Sequence, residues 1–182
     1  MKAATDKGAQ TSLDKRLLKV LLVEDEATDR KSLERILRTC SSLVEFVVES
    51  AVSLSEAIRN LAEKKYDAIL LDLELPDSSG IETLRQTVKV APDIPVVVLT
   101  ELDDEQTGFS ALEDGATDYL VKDLPLDVVL VRTIIYAMQR KKIQMQSLKL
   151  AHDIDKRMKE LNCLYGISKL VETPGISLQA IS

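Results

Sequence analysis

Four short apolar runs recur along the first two thirds of the chain: Val20-Leu21-Leu22-Val23, Ala68-Ile69-Leu70-Leu71, Val96-Val97-Val98-Leu99 and Tyr119-Leu120-Val121. A fifth, Phe46-Val47-Val48, falls between the first two. Near-continuous apolar runs of this length predict strands in a sheet covered on both faces, as parallel sheets are. Between them stand helical patterns: Leu33-Ile36-Leu37, Leu54-Ala57-Ile58-Leu61, Ile81-Leu84-Val88 and the group Phe109, Ala111, Leu112. Alternating strand and helix implies right-handed crossovers and an α/β, doubly wound parallel sheet. All of these apolar residues are assigned to the core.

Beyond Pro125 the pattern changes. Asp123 suits a helix N-cap, with Pro125 at an early position. From there to about Val171 only Gly166 interrupts the run, and Thr173-Pro174-Gly175 ends it. This is roughly 45 residues, or about 70 Å of helix at 1.5 Å per residue. Val128, Val131, Ile134, Ile135 and Met138 can close the sheet. Met145, Leu148, Ile154, Met158, Leu161 and Tyr165 then form an approximate stripe. Lys141, Lys142, His152 and Asp155 fall on or near its seam, so the heptad is imperfect. Such a stripe calls for a partner, most simply a second copy in a coiled-coil-like homodimer.

Charge narrows the partners. The chain holds 30 acidic and 24 basic residues, a formal charge of -6. Residues 125–182 hold 9 basic and 5 acidic residues, and residues 1–124 hold 15 and 25, so the first part carries -10 and the second +4. An acidic body repels nucleic acid and suits a site that collects divalent cations. No helix-turn-helix pattern or basic domain follows it, so no nucleic-acid partner is expected. Cys40 and Cys163 have no paired spacing, which excludes a disulfide framework or zinc site and fits a reducing compartment. The start MKAATDKGAQTSLDKR has no apolar core of a signal peptide, and no stretch approaches 18 apolar residues. No membrane is expected, and the location is cytoplasmic.

In an open parallel sheet, ligands bind beyond the carboxyl ends of the strands. Those ends are Glu24-Asp25, Asp72, Thr100 and Lys122. Clustered carboxylates repel one another and hold a hard cation, for which Mg²⁺ is suited because it keeps waters and phosphate oxygens. Asp72 is a candidate nucleophile for an aspartyl phosphate. Lys122 would neutralise a transferring phosphoryl group, and Thr100 would donate a hydrogen bond to it.

The segments VLLVEDE, AILLDLELPDSSG, VVLTELDDE and GATDYLVKD resemble, in order and spacing, the motifs of response-regulator receiver domains. The resemblance covers about two thirds of the chain. It implies a flavodoxin-like, five-stranded fold of order 2-1-3-4-5. It also implies that Asp72 accepts a phosphoryl group from a phosphohistidine on a sensor histidine kinase or histidine phosphotransfer protein. Mg²⁺ would be bound by Asp25 and Asp72, assisted by Glu24 and completed by the backbone carbonyl of Glu74. Lys122 would pair with the phosphoryl group, Thr100 would move toward it, and Tyr119 would swing inward as the switch aromatic. Such a chain is a phospho-accepting signalling domain rather than an enzyme, with limited self-dephosphorylation. The stretch DVVLVRTIIYAMQRKK resembles the last helix of receivers that run on into sensor, kinase or cyclase modules.

Two residues depart from the pattern. Asp123 stands where the family usually has proline, and Glu101 stands beside Thr100 where a small residue is usual. Glu101, with Glu74, is expected to tune how long the phosphorylated state lasts. The domain expectation is a tail over 1–17, a receiver over 18–140, an extended signalling and dimerisation helix over 141–172, and the start of a following module over 173–182. The chain then reads as a piece of a longer signalling protein. His152-Asp153 has the look of a kinase phosphoacceptor but lacks its surrounding pattern, and is assigned to a solvated face.

Three alternatives are distinguishable. A phosphatase with an Asp nucleophile would carry D-x-D at the end of the first strand, whereas here Asp72-Leu73-Glu74 ends the third. A flavin or nucleotide carrier would need a Gly-rich loop where Glu24-Asp25-Glu26 stands. A phosphorylation-independent dimerisation module would leave Asp72 inert.

Overall fold

The computed structural model describes residues 16–39, 44–101, 105–122 and 126–171. The chain divides into two compact units, Met1–Lys141 and Lys142–Ser182. In the first, strands β1 (Arg16–Val23), β2 (Val44–Ala51), β3 (Ala68–Asp72), β6 (Val96–Thr100) and β7 (Asp118–Val121) form one parallel sheet of order β2-β1-β3-β6-β7. A two-stranded hairpin, β4 (Glu74–Leu75) and β5 (Ser78–Ser79), follows β3. Setting that hairpin aside, the order is the expected 2-1-3-4-5.

Helices α1 (Ala27–Thr39), α2 (Leu54–Glu63), α3 (Ile81–Val90), α4 (Glu105–Glu113) and the start of α5 (Leu126–Val171) complete the layers. The core lies on both sides of the sheet. Leu21, Val23, Ile69, Leu71, Val96 and Val98 face one cluster, while Val20, Leu22, Leu70, Val97 and Leu99 face the other. Successive residues thus feed opposite layers, which is why the runs show no alternation of apolar and polar. Every residue of β3 and β6 is buried. The second layer includes Leu130, Ile134 and Ala137 of α5.

Three sequence expectations need correction. β1 begins at Arg16 and β2 at Val44, ahead of their apolar runs, because the backbone ladder continues from Arg16↔Val44 through a mixed segment in which Arg16, Leu17, Lys19 and Glu45 are exposed and Leu18 is buried. Phe109 (59% exposed), Leu112 and Val47 lie on the surface instead of in the core. Burial of α4 falls on Ala111, as expected, and on Gly108, which the apolar pattern did not single out. The stripe on the second unit's helix is not one stripe. At about 100° per residue, Met145 lies half a turn away from Ile154, whereas Ile143, Leu150, Ile154 and Leu161 share a face. All of these side chains are exposed. Asp123, Pro125, the tail 1–15 and the segment 172–182 lie outside the described residues.

Candidate phosphoacceptor site

Each chemistry-bearing residue stands where its strand ends. Asp72 is the last residue of β3 and Thr100 the last of β6, while Glu24 directly follows β1 and Lys122 directly follows β7. The loop after β1 is shaped by Arg30 on α1, whose Nη1 donates to the backbone carbonyls of Glu24 (2.9 Å) and Asp25 (3.0 Å). The Glu24 N–H continues the ladder to the Ala51 carbonyl at 3.0 Å. These bonds turn the Glu24 side chain into the protein, where it is fully buried, and leave Asp25 exposed.

Carboxylate oxygens of Glu24, Asp25 and Asp72 all lie within 4.8 Å of one another. The Lys122 ammonium sits among the carboxylates. Its Nζ donates to Asp72 Oδ2 at 2.6 Å and makes an ionic contact with Glu24 Oε2 at 2.9 Å. It also lies 3.4 Å from Asp29 Oδ2 and 4.0 Å from Glu101 Oε1. Burial first, and then the neighbouring Asp72 charge, push the Glu24 carboxyl up to about 7 against the opposing pull of Lys122. Burial works to lower the Lys122 pKa, but its bonds to Asp72 and Glu24 outweigh this and hold the ammonium charged.

The other side of Asp72 opens into a cleft of about 190 Å³, lined by Glu74, Gly80, Thr100, Glu101, Thr107 and Lys122. Thr100 is buried, and its Oγ1 has no hydrogen-bond partner. A buried hydroxyl without a partner carries a desolvation cost that an incoming acceptor oxygen would relieve. The Glu74 N–H donates to Asp72 Oδ1 at 3.0 Å, while its side chain accepts from the Gly80 N–H at 3.2 Å. Glu74 is therefore directed at its own hairpin. Glu101 is 71% exposed at the rim. Gly80 ends the hairpin with φ 63, a backbone region that favours glycine.

The structure thus brings together Glu24, Asp25, Asp72, Thr100 and Lys122, with Glu74 and Glu101 at the margin. Tyr119 lies on β7, half-buried, with its ring 5.8 Å from that of Phe109. Sequence reasoning missed Asp29, Arg30 and Asp77. Asp77, in the hairpin turn, accepts from the N–H groups of Leu54 (2.8 Å) and Ser55 (2.9 Å) at the start of α2. The carboxylates of Glu24, Asp25 and Asp72 form a set of hard oxygen donors, which fits a Mg²⁺ ion.

The response regulator receiver domain family matches residues 20–134. YhcZ of Bacillus subtilis (strain 168), an uncharacterized transcriptional regulatory protein, is 33% identical over 118 residues, 64% of this chain and 54% of the relative. The transcriptional regulatory protein PrrA of Mycobacterium leprae is 37% identical over 114 residues, 63% of this chain and 47% of the relative. The chain spans about half the length of these curated relatives. Among solved structures, a response regulator receiver domain protein from Clostridium thermocellum superposes with a TM-score of 0.61 at 29% identity, covering 70% of this chain and 98% of that one. With its sheet order and its carboxylate rim, the chain belongs to the response regulator receiver domains of two-component signalling.

Proposed function

We propose that Asp72 accepts a phosphoryl group from the phosphohistidine of a histidine kinase or phosphotransfer protein. The observation that carries this reading is the shared rim: three carboxylates within 4.8 Å of one another, with Lys122 bonded to Asp72. An oxygen of Asp72 attacks phosphorus, the bond from phosphorus to the imidazole nitrogen breaks, and an acyl phosphate forms. Lys122 exchanges its contact with the carboxylate for one with the phosphoryl oxygens, and Thr100 Oγ1 donates to one of them. Asp25, Glu24, Asp72 and the Glu74 carbonyl would hold Mg²⁺, which when bound supplies positive charge against the phosphoryl group.

The output is a two-state change in which Thr100 and Tyr119 move and the α4–α5 face repacks. The unbroken helix α5 is the proposed route onward, and its exposed apolar residues are proposed to pair with a second copy. The relatives are named transcriptional regulators. The acidic charge of the receiver therefore does not exclude nucleic acid as a partner of the protein. Among the described residues, no helix is long and apolar enough to cross a membrane.

The test is incubation with acetyl phosphate and Mg²⁺ followed by intact mass. Wild type is expected to gain one phosphoryl group, and Asp72→Ala none. An Asp72→Ala protein that labels as well as wild type, or a wild type that never labels, overturns the proposal. Turnover of phosphate esters would favour the phosphatase reading instead.

A further inference from the structure

Gly108 lies inside α4, where glycine is destabilising relative to alanine, so the position needs a reason. Its surroundings supply one. A Cβ built at position 108 would lie 2.7 Å from Cδ2, 2.8 Å from Cε2 and 3.0 Å from Cγ of Tyr119. One edge of that ring therefore rests directly on the bare backbone of α4. Phe109, the next residue, meets the ring edge-on, with the two planes at 60°. Gly108 is buried, and Tyr119 packs against the core cluster that contains Ala111 and Val98.

The contact constrains how the ring can respond. Rotation about χ2 leaves Cγ in place, and Cγ itself would lie 3.0 Å from an added carbon. Relief requires a different χ1 rotamer or the retreat of α4. The sheet register links this to the site. Tyr119 pairs with Val98 and Val121 with Thr100, so Tyr119 and Thr100 project from the same face of adjoining strands, two residues apart. Thr100 Oγ1 is also the hydroxyl that lacks a partner.

We propose that Gly108 is the positioning residue for Tyr119. The missing side chain forms a seat that holds the ring in one χ1 state, and residue 108 thereby sets how readily the ring leaves that state. The link to phosphorylation rests on the proposed function of Asp72, whereas the seat itself does not.

The full chain is tested with 3-fluorotyrosine at position 119 and ¹⁹F resonances read with and without acetyl phosphate and Mg²⁺. In Gly108→Ala without phosphodonor, the resonance is expected to move from the wild-type position by at least half of the shift that phosphorylation produces in wild type. Thermal unfolding is read in parallel in two backgrounds. With Tyr119 present, Gly108→Ala is expected to lower the midpoint by several degrees. With Tyr119→Ala, the same change is expected to leave or raise it, because alanine's helix propensity then acts alone. An unmoved resonance in Gly108→Ala, or an equal loss in both backgrounds, overturns the proposal. Wild type that takes no phosphate overturns the reading of Asp72 and the seat's link to it, while the two-background comparison still decides the seat.

Discussion

At the scale of single residues, Lys122 is one cation serving several anions. Its Nζ lies within 4.0 Å of oxygens from Glu24, Asp29, Asp72 and Glu101. Breaking a buried ion pair by removing one partner costs about 3 kcal/mol, because the other charge is left uncompensated. Lys122→Met is expected to lose about that much unfolding free energy in urea without Mg²⁺, and to recover part of it when Mg²⁺ is added. Equal losses in both conditions would show that Mg²⁺ does not stand in for the Lys122 charge at the rim. Glu101 sits exposed beside the cleft, where its charge is partly screened. Glu101→Ala is expected to slow decay of the phosphorylated protein by roughly two- to fivefold, the size of a surface charge effect. Unchanged decay would remove Glu101 from the tuning role. Asp72, Lys122 and Thr100 were legible in the sequence because each ends an apolar run in a recognisable motif. Asp29 and Arg30 were not, since a polar residue in a first helical turn says nothing about which carbonyl or ammonium it will meet.

At the scale of elements, the start of α2 is satisfied from a distance. Ser53 Oγ accepts from the Glu56 N–H at 3.2 Å, and Asp77 accepts from the N–H groups of Leu54 and Ser55. Three otherwise orphaned donors are thus covered, two of them by the hairpin loop that follows β3. These bonds, led by those to Ser55, hold the Asp77 carboxyl below its usual range. A depressed carboxyl contributes stability that is present above pH 3.8, its ordinary value, and is lost as pH falls through the lower folded value. Asp77→Asn is therefore expected to flatten the acid limb of stability against pH, as read from urea midpoints. An unaltered limb would mean that the bonds carry no net weight. The cap pairs residues more than twenty positions apart, a proximity that only the folded chain creates. The strands, by contrast, were legible because two-sided burial imposes an unbroken apolar run. Their ends were not, because edge pairing tolerates polar residues.

At the scale of the whole molecule, the two units differ in what they bury. The first closes its core over both faces of a sheet. In the second, the helix keeps Ile143, Met145, Leu148, Leu150, Ile154, Met158 and Leu161 exposed. If the proposed homodimer uses the shared face, Ile154→Asp is expected to weaken self-association in sedimentation at least tenfold, and Met145→Asp to weaken it much less. Equal effects would return both residues to one seam. Inserting one or two residues near Met145 is expected to alter downstream output, and unaffected output would end the role of α5 as a transmitter. A rod with greasy side chains on both flanks cannot hide all of them along a single line. In a pair zipped through Ile143, Leu150, Ile154 and Leu161, Met145 and Leu148 would stay in water on the outer flank.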